Sequence, residues 1–189
     1  MNTVGILLAA GRGRRFDPSG LADKLLQRLP DGHAVVVASA QTLLAVLPRV
    51  IAVVPPADRG VAAALRALGC EVTVCPDADT GMGASLAHAV AASLPAAQAW
   101  VIALGDMPFV NTATVRALCD ALARGAGIAA PVAGGRRGNP VGFGSVHLPA
   151  LLALHGDEGA RRIVHGATVI DVDVDDPGIF RDIDTAADL

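Results

Sequence analysis

The stretch Val4-Gly-Ile-Leu-Leu-Ala9, followed by the turn Gly11-Arg-Gly13, decides the fold of this chain. A short, continuous apolar run of this kind is typical of a strand buried on both faces, and here it ends in a glycine loop. Strand and helix patterns then alternate, which predicts an α/β protein with a parallel sheet, helices on both faces and ligand-binding loops at one edge. The predicted strands are 4–9, 50–54, 71–75, 100–104 and 128–132, and the predicted helices are 58–68, 85–94 and 112–124, the last capped by Asn111 or Thr112.

The last third of the chain has a different sequence pattern. Gly134-Gly-Arg-Arg-Gly-Asn-Pro140 is rich in turn residues and predicts a hairpin or an extended excursion from the sheet. Short helices are predicted at 148–155 and 158–165, a further strand at 168–174, and a final short helix capped by a Thr or an Asp. Because no repeat or linker interrupts the pattern, we expect one domain over residues 1–189.

Composition excludes several classes of protein. With 52% hydrophobic and 17% charged residues, the chain has enough apolar material for a core, which excludes disorder. The net charge of −3 argues against a nucleic-acid partner. The apolar runs are far shorter than the roughly 20 residues of a membrane span, and no basic segment precedes the first of them. Three cysteines are too few for a disulfide framework, so we expect a reduced, cytoplasmic protein.

The loop after the first strand has the composition of a phosphate-binding loop. Its glycines allow backbone N–H groups to approach an anion, and Arg12, Arg14 and Arg15 add charge and bidentate donors. Lys24, the only lysine in the chain, follows closely. The loop fits neither the Walker A pattern nor the dinucleotide fingerprint. A tight strand-to-helix turn with solvated arginines is the structural alternative.

A second group of candidate residues follows the strand 100–104. Asp106 lies in Gly105-Asp-Met-Pro108, at the edge where ligands bind in such sheets. A hard carboxylate oxygen suits Mg²⁺, which takes one or two carboxylates together with substrate phosphates and water. A solvated aspartate in a turn is the alternative. Farther back, the glycines around Ser85 precede a helix whose N-terminus favours anions or polar base edges, whereas turn roles explain Asp77 and Asp79 equally well.

Together these motifs resemble a known family. Leu8-Ala-Ala-Gly-x-Gly-x-Arg15 with a downstream lysine, combined with Gly105-Asp-Met-Pro108, resembles the nucleotidyltransferases that include the molybdopterin guanylyl- and cytidylyltransferases. The resemblance implies a three-layer, Rossmann-like nucleotidyltransferase fold with a mostly parallel central sheet. It implies that Arg15, Lys24 and Asp106 are catalytic, although residues 16–22 form a longer insert before the lysine than is usual. The nucleotide-binding residues that it implies are Leu8, Ala9, Ala10, Gly11, Gly13, Arg15, Lys24, Gly83 and Ser85.

Three later segments extend the resemblance to nearly the whole chain. Gly135-Arg-Arg-Gly-Asn-Pro140 and Gly156-Asp-Glu-Gly-Ala-Arg161 are similar to segments of the cytidylyl branch that face the acceptor. Asp182-Ile-Asp-Thr185 is similar to the closing motif, which makes Asp184 a second candidate metal ligand beside Asp106, with capping as the competing role. The acceptor-binding residues that the resemblance implies are Arg136, Arg137, Gly138, Asn139, Pro140, Asp157 and Arg161.

The implied reaction is Mg²⁺-dependent transfer of CMP from CTP to the terminal phosphate of molybdopterin, with release of pyrophosphate. CTP is favoured because Leu-Ala-Ala-Gly, with Ala10, goes with the cytidylyl branch, whereas Leu-Ala-Gly-Gly goes with the guanylyl branch. The implied protein partner is a molybdenum hydroxylase apo-enzyme. Guanylyl transfer or transfer to another phosphate acceptor stays open, as do two other classes: a non-catalytic pterin carrier, and an NAD(P)H-dependent oxidoreductase of the same fold.

Overall fold

The computed structural model describes residues 1–11, 13, 16–17 and 22–189, and over this part of the chain strands and helices alternate as predicted. The strands are β1 Thr3–Leu8, β2 Val50–Val54, β3 Glu71–Val74, β4 Ala99–Leu104, β5 Ile128–Ala133, β6 Arg136–Arg137, β7 Val141–Gly144 and β8 Ile170–Asp173. The helices are α1 Val35–Leu44, α2 Val61–Ala67, α3 Met82–Ala92, α4 Thr112–Ala123, α5 Leu148–Leu152 and α6 Arg161–His165. Short 3₁₀ helices occupy Lys24–Leu26, Ala78–Thr80, Ser145–His147, Pro177–Phe180 and Ala186–Asp188.

The strands form one mostly parallel sheet, which confirms the predicted fold class. Strands β3, β2, β1 and β4 lie side by side in that order, and all of these pairs are parallel. Because β1 is central and parallel to both of its neighbours, its C-terminal end and that of β4 meet at the same edge of the sheet. The loops that follow these two strands therefore lie next to each other.

Strand β7, which directly follows the predicted hairpin or excursion of residues 134–140, is an antiparallel strand inside the sheet. It pairs with β4 on one side and with β5 on the other. The sequence of β7 suits this position because Phe143 is fully buried, while a Cβ at Gly142 would lie only 3.0 Å from the Leu122 side chain of α4. A side chain at Gly142 would therefore push the covering helix away.

The hairpin prediction for residues 134–140 is confirmed by β5 and β6, which pair in antiparallel fashion. Ala129 pairs with Gly142 of β7 and also with Ile170 of β8. Val132 likewise pairs with a β6 residue and a β8 residue. Because a strand has two edges, β6 and β7 share one edge of β5 and β8 occupies the other.

Helices cover both faces of the sheet, and each face has its own apolar core. One core joins α1, α2 and α4 to alternate strand residues such as Leu7 and Ala52. The other joins α3 and α5 to the intervening residues such as Ile6 and Trp100. Within the described residues, none of the helices combines the length and the apolar character that crossing a membrane requires.

Helix α1 has no counterpart among the predicted elements. It begins with Val35-Val-Val37, and β-branched residues of this kind are typical of strands. The helix forms because Val36, Ala40 and Leu43 recur at helical spacing and are buried against the sheet. Tertiary burial therefore overrides the local preference here.

The predicted cap of helix α4 is only partly right. Asn111 is the N-cap residue by backbone conformation, but its own side chain makes no capping hydrogen bond in the described structure. The side chain of Asp176 takes this role, accepting hydrogen bonds from the Asn111 N–H and from the Thr114 hydroxyl. The cap thus comes from a segment 65 residues away.

Candidate functional site

A cleft of about 440 Å³ opens where β1 and β4 end, between the N-terminus of α3 and the C-terminal segment. Its position agrees with the expected ligand edge of a parallel sheet. The described residues that line it are Leu8, Ala10, Gly11, Gly13, Phe16, Lys24, Leu25, Ala78, Asp79, Gly81, Met82, Ser85, Leu104, Asp106, Asp157 and Asp184.

Lys24, Asp106 and Asp184 form a charged triad on one wall of the cleft. The Lys24 Nζ lies 2.6 Å from Asp106 Oδ2 and 3.7 Å from Asp184 Oδ1. The lysine side chain is 11% exposed, and the aspartates are 22% and 31% exposed. Three segments that are far apart in sequence therefore bring two carboxylates to one cation. The insert before Lys24 does not prevent the lysine from reaching this edge.

The position of Asp106 is set by close backbone packing at the end of β4. The Gly105 N–H donates to the Leu8 carbonyl at 2.9 Å, and a Cβ at Gly105 would lie 3.0 Å from the same oxygen. The buried Ser39 hydroxyl of α1 donates to the Gly105 carbonyl at 3.0 Å. These contacts hold the residue before Asp106 against both β1 and α1.

Asp184 is held by the turn that follows it. Asp188 accepts hydrogen bonds from the backbone N–H groups of Asp184 and Thr185, and from the Thr185 hydroxyl. The hydrogen bonds from Thr185 are the main cause that lowers the pKa of the Asp188 carboxyl. The capping contacts of the last 3₁₀ helix thus come from Thr185 and Asp188, while Asp184 lines the cleft.

The other wall is shaped by close packing of backbone against backbone. The Gly83 N–H of α3 donates to the Gly156 carbonyl at 2.8 Å. A Cβ at Gly83 would lie 2.5 Å from the Glu158 carbonyl oxygen, and a Cβ at Gly81 would lie 2.3 Å from the Gly156 backbone. This contact is close only because neither glycine has a side chain. The contact brings Ser85 and Asp157 to the cleft. Gly83 is not among the described residues that line it.

The charges among the described lining residues are mostly negative. Besides Lys24, the described lining includes four aspartates, namely Asp79, Asp106, Asp157 and Asp184. A polyphosphate would be repelled by this lining unless further cations accompanied it. No group of three or more His, Cys, Asp or Glu residues in the described ranges is arranged to hold a metal by itself. Two carboxylates that already share a cation do fit Mg²⁺, which takes its remaining ligands from phosphates and water.

Most of the nucleotide-binding residues expected from the first loop line this cleft. Leu8, Ala10, Gly11 and Gly13 are among the lining residues, and a Cβ at Gly13 would lie 3.7 Å from the Lys24 side chain. Ala9 alternates away from the cleft and is buried in the core with α1. Arg15, together with Arg12 and Arg14, lies outside the described residues, so its predicted role stays a prediction.

The predicted acceptor residues are divided between two places. Asp157 lines the cleft, and Arg161 begins α6 shortly after it. Arg136 and Arg137 are not among the described residues that line the cleft. The Arg136 guanidinium lies 4.6 Å from the centre of the Phe180 ring, and Arg137 is hydrogen-bonded to Asp171, which raises the pKa of Arg137.

Residues 138–140 pack against Ile179 and are not among the described residues that line the cleft. A Cβ at Gly138 would lie 2.5 Å from the Ile179 carbonyl oxygen, and the Asn139 N–H donates to the same oxygen at 3.0 Å. The Asn139–Pro140 peptide bond is cis, and both residues border a small cavity of about 10 Å³ beside α1. The acceptor role of residues 136–140 therefore stays a prediction.

Some residues of the cleft were not among the predicted site residues. Phe16 comes from the insert and Leu25 directly follows Lys24, and no motif points to either of them. Met82 is 49% exposed at the first position of α3, and an exposed methionine beside a glycine turn has no distinctive sequence signal. Asp79 lines the cleft although its turn position in the sequence gave no preference for binding.

Comparison with known proteins identifies the family to which this geometry corresponds. Residues 5–172 match the model of the MobA-like NTP transferase domain. Purine catabolism protein PucB of Bacillus subtilis is 30% identical over 199 residues, covering 96% of this chain and 91% of that protein. The chain covers most of the relative, so the likeness is not confined to one motif.

Solved structures resemble the protein over its full length. Rv0371c from Mycobacterium tuberculosis superposes with a TM-score of 0.86 at 30% identity, covering 100% of this chain and 95% of that chain. A second structure of Rv0371c is a complex with manganese, with a TM-score of 0.82. A nucleotidyl transferase from Methanothermobacter has a TM-score of 0.82 at 25% identity, covering 98% of this chain and 93% of that chain.

Proposed function

The chain belongs to the MobA-like NTP transferase family, and we propose that it transfers CMP from CTP to the terminal phosphate of molybdopterin, releasing pyrophosphate. The observation that carries this proposal is the convergence of Lys24, Asp106 and Asp184 where β1 and β4 end. In the proposed reaction, an acceptor phosphate oxygen attacks the α-phosphorus of the NTP. The bond to the β-phosphate oxygen breaks, and pyrophosphate leaves with the bonding electrons.

Asp106 and Asp184 are the proposed ligands of a divalent ion. Both are hard oxygen donors, and both already lie within 4 Å of a single positive charge, the Lys24 ammonium. A bound Mg²⁺ would neutralise charge on the triphosphate and polarise its phosphoryl oxygens. The manganese complex of Rv0371c supports a divalent metal in this family, and we propose Mg²⁺ for this chain.

Lys24 has two roles in this proposal. Without substrate, its ammonium neutralises the two carboxylates at the cleft. With substrate, it turns toward the triphosphate and stabilises the charge that develops on the leaving pyrophosphate. Arg15 is the proposed second cation for the phosphates, which the acidic lining requires. The protein thus contributes position and charge rather than covalent chemistry.

The nucleotide and acceptor assignments concern individual residues in and near the cleft. Ala10 lines the cleft, and its methyl group is the feature that favours CTP over GTP in this proposal. Asp157 is the proposed acceptor residue inside the cleft. A role for Arg136 and Arg137 requires an acceptor that extends beyond the lining, since these residues pack beside Phe180 and Asp171.

We propose a cytoplasmic setting in which the product is delivered to a molybdenum hydroxylase apo-enzyme. The name of the Bacillus relative, a purine catabolism protein, supports this assignment. In this proposal, a nucleotidyltransferase with a role in purine catabolism completes the cofactor that the apo-enzyme takes up.

The experiment that tests the function is pyrophosphate release with Mg²⁺, measured with ATP, CTP, GTP and UTP, each with and without molybdopterin. We expect release with CTP only when molybdopterin is present. Release with GTP would retain the reaction and overturn the CTP assignment. A folded protein that releases no pyrophosphate with any pair would overturn the transferase proposal and favour a pterin carrier, or an oxidoreductase if NAD(P)H is consumed.

A variant pair separates catalysis from general charge effects in this assay. Asp106→Asn removes a proposed metal ligand without changing side-chain size, and we expect pyrophosphate release to fall at least a hundredfold. Asp120→Asn removes the same charge from an exposed position on α4 and should leave the rate unchanged. A pure carrier would bind pterin equally well in both variants.

A further inference from the structure

The C-terminal segment 176–183, here called the strap, lies along the loop 105–111 that carries Asp106. The Ile183 N–H donates to the Asp106 carbonyl at 2.9 Å. The Arg181 guanidinium lies 3.9 Å from the centre of the Phe109 ring. Asp184 follows the strap directly, so the contacts between strap and loop end at the two carboxylates that face Lys24.

Gly178 makes the closest contact between the strap and the loop. A Cβ at Gly178 would lie 2.0 Å from the Phe109 carbonyl oxygen. Gly178 and Ile183 are both buried in the folded protein. The strap and the loop therefore pack as one unit from Gly178 to Ile183.

Asp176 anchors the other end of the strap. Its carboxylate is buried, with 2% of the residue exposed. Asp176 Oδ2 accepts from the Asn111 N–H at 2.8 Å and from the Thr114 hydroxyl at 2.6 Å, and Oδ1 accepts from the Gly178 N–H at 2.9 Å. All three donors are neutral groups. Their hydrogen bonds, together with the N-terminus of α4, compensate the cost of burying the carboxylate.

A carboxylate suits this place because one oxygen accepts from the N-terminal turn of α4 while the other accepts from the 3₁₀ helix Pro177–Phe180. Its bonds join three points: the strap at Gly178, the end of the loop at Asn111, and the first turn of α4 at Thr114. The two carboxylates at the other end of the strap repel each other whenever no cation lies between them. The contacts between the strap and the loop oppose that repulsion, because they fix the backbone that carries the two carboxylates.

We infer that Asp176 is a positioning residue that holds Asp106 and Asp184 at the separation where both reach one cation. It acts through the strap and touches neither the cation nor a substrate. The inference rests on the proposed function in one respect, namely that these two carboxylates bind a divalent ion. Asp176 is thus a determinant of the metal site that lies outside both sequence motifs, the first loop and Gly105-Asp-Met-Pro108.

Mn²⁺ binding to the full chain without nucleotide, followed by electron paramagnetic resonance, tests this inference independently of activity. We expect Asp176→Ala to raise the Mn²⁺ dissociation constant at least about tenfold, as is usual when support behind metal ligands is removed. Asp176→Asn can keep an oxygen toward Asn111 and Thr114, so its loss should be severalfold smaller. Wild-type affinity in a folded Asp176→Ala protein would overturn the inference.

Two variants at Thr114 keep the test available if Asp176→Ala does not fold. Thr114→Val removes one of the three hydrogen bonds and should weaken Mn²⁺ binding severalfold, whereas Thr114→Ser retains the hydroxyl and should restore it. Equal Mn²⁺ affinity in these two variants would count against the role of Asp176.

A destabilised control separates positioning from loss of stability. Val90→Ala truncates a fully buried residue in the core on the α3 side of the sheet, away from the strap. It should lower the melting temperature and leave the Mn²⁺ dissociation constant unchanged. If it weakens Mn²⁺ binding as much as Asp176→Ala does, the effect of Asp176 is only structural. A wild-type protein that binds no Mn²⁺ would instead overturn the metal site of the proposed function.

Discussion

The two walls of the cleft are built in opposite ways. The charged wall consists of Lys24, Asp106 and Asp184, three side chains from distant segments that meet around one positive charge. The glycine wall consists of Gly81 and Gly83 packed directly on the backbone of residues 155–158. A Cβ added at Gly81 or Gly83 would overlap backbone atoms, whereas a neutral or shorter side chain in the charged wall would create no overlap.

This difference predicts which property each wall controls. Substitutions in the charged wall should change binding and turnover while the protein stays folded. Substitutions in the glycine wall should change stability first, because they displace backbone. Three variants, taken from the largest expected effect to the smallest, test whether the two walls separate in this way, and a fourth lies away from both walls.

The largest effect is expected from Gly81→Ala. A Cβ there would lie 2.3 Å from the Gly156 backbone, and the φ of +141° is a conformation that side chains rarely adopt. Strain and overpacking together should lower the free energy of unfolding by about 4 kcal/mol. Urea denaturation measures this value.

Gly69→Ala is the matched control for Gly81→Ala. Gly69 also has a positive φ, of +95°, but nothing lies within 4 Å of a Cβ placed there. The cost should therefore be only the conformational one, about 1 kcal/mol. Equal losses in the two variants would mean that close packing against Gly156 contributes nothing, and the description of the glycine wall would be wrong.

Lys24→Met should affect function rather than folding. Loss of the ammonium should lower pyrophosphate release about a hundredfold, equivalent to about 3 kcal/mol in the transition state. Mn²⁺ binding without nucleotide should become severalfold tighter, because the cation that shares the two carboxylates is gone. Lys24→Arg, which keeps the charge, should not tighten Mn²⁺ binding.

A smaller effect is expected where α1 supports the charged wall. Ser39→Ala removes the buried hydroxyl that donates to the Gly105 carbonyl and should cost about 1.5 kcal/mol of stability. Ser145→Ala, at an exposed position, serves as the control. If Ser39→Ala also lowers turnover severalfold, the rigidity of the charged wall contributes to function. Unchanged turnover would restrict the role of Ser39 to stability.

The smallest effect is expected at the β3 edge, away from both walls. The hydrogen bond from Arg49 lowers the pKa of the Glu71 carboxyl. Because the folded-state pKa is lowered, the stabilisation is present above the ordinary pKa of 4.5 and is lost as the pH falls through the lowered value. For this half-exposed pair we expect less than about 1 kcal/mol.

Urea midpoints of the wild type and Glu71→Gln between pH 3 and pH 7 measure this contribution. The two curves should differ at neutral pH and converge at the acid end. A difference that grows as the pH falls would have the wrong sign and would contradict the role assigned to Arg49.

The sequence was informative wherever a local pattern determines the structure. The buried strands β1, β2 and β4 are continuous apolar runs, and Asp106 follows one of them in a short motif. Helix α1 was not predicted, because its three valines favour a strand and only burial against the sheet makes them helical. Local preference and tertiary packing disagree there, and packing dominates.

Other features depend on contacts between distant segments. The cap that Asp176 provides for α4 joins residues 65 apart, so no window along the chain contains both. The insertion of β7 between β4 and β5 likewise depends on Gly142 being small enough for α4 to approach, which no strand pattern indicates. The prediction that Arg136 and Arg137 face an acceptor stays a prediction, although the structure places them beside Phe180 and Asp171.

The internal position of β7 also affects the order in which the protein can be completed during synthesis. Until residues 141–144 have left the ribosome, β4 has no partner on its outer side and remains an open edge. Open apolar edges are the sites at which sheets join to other chains. A chain that stops short of residue 141 therefore presents the unpaired backbone edge of β4 as a site for aggregation, and release of β7 is the step that closes it.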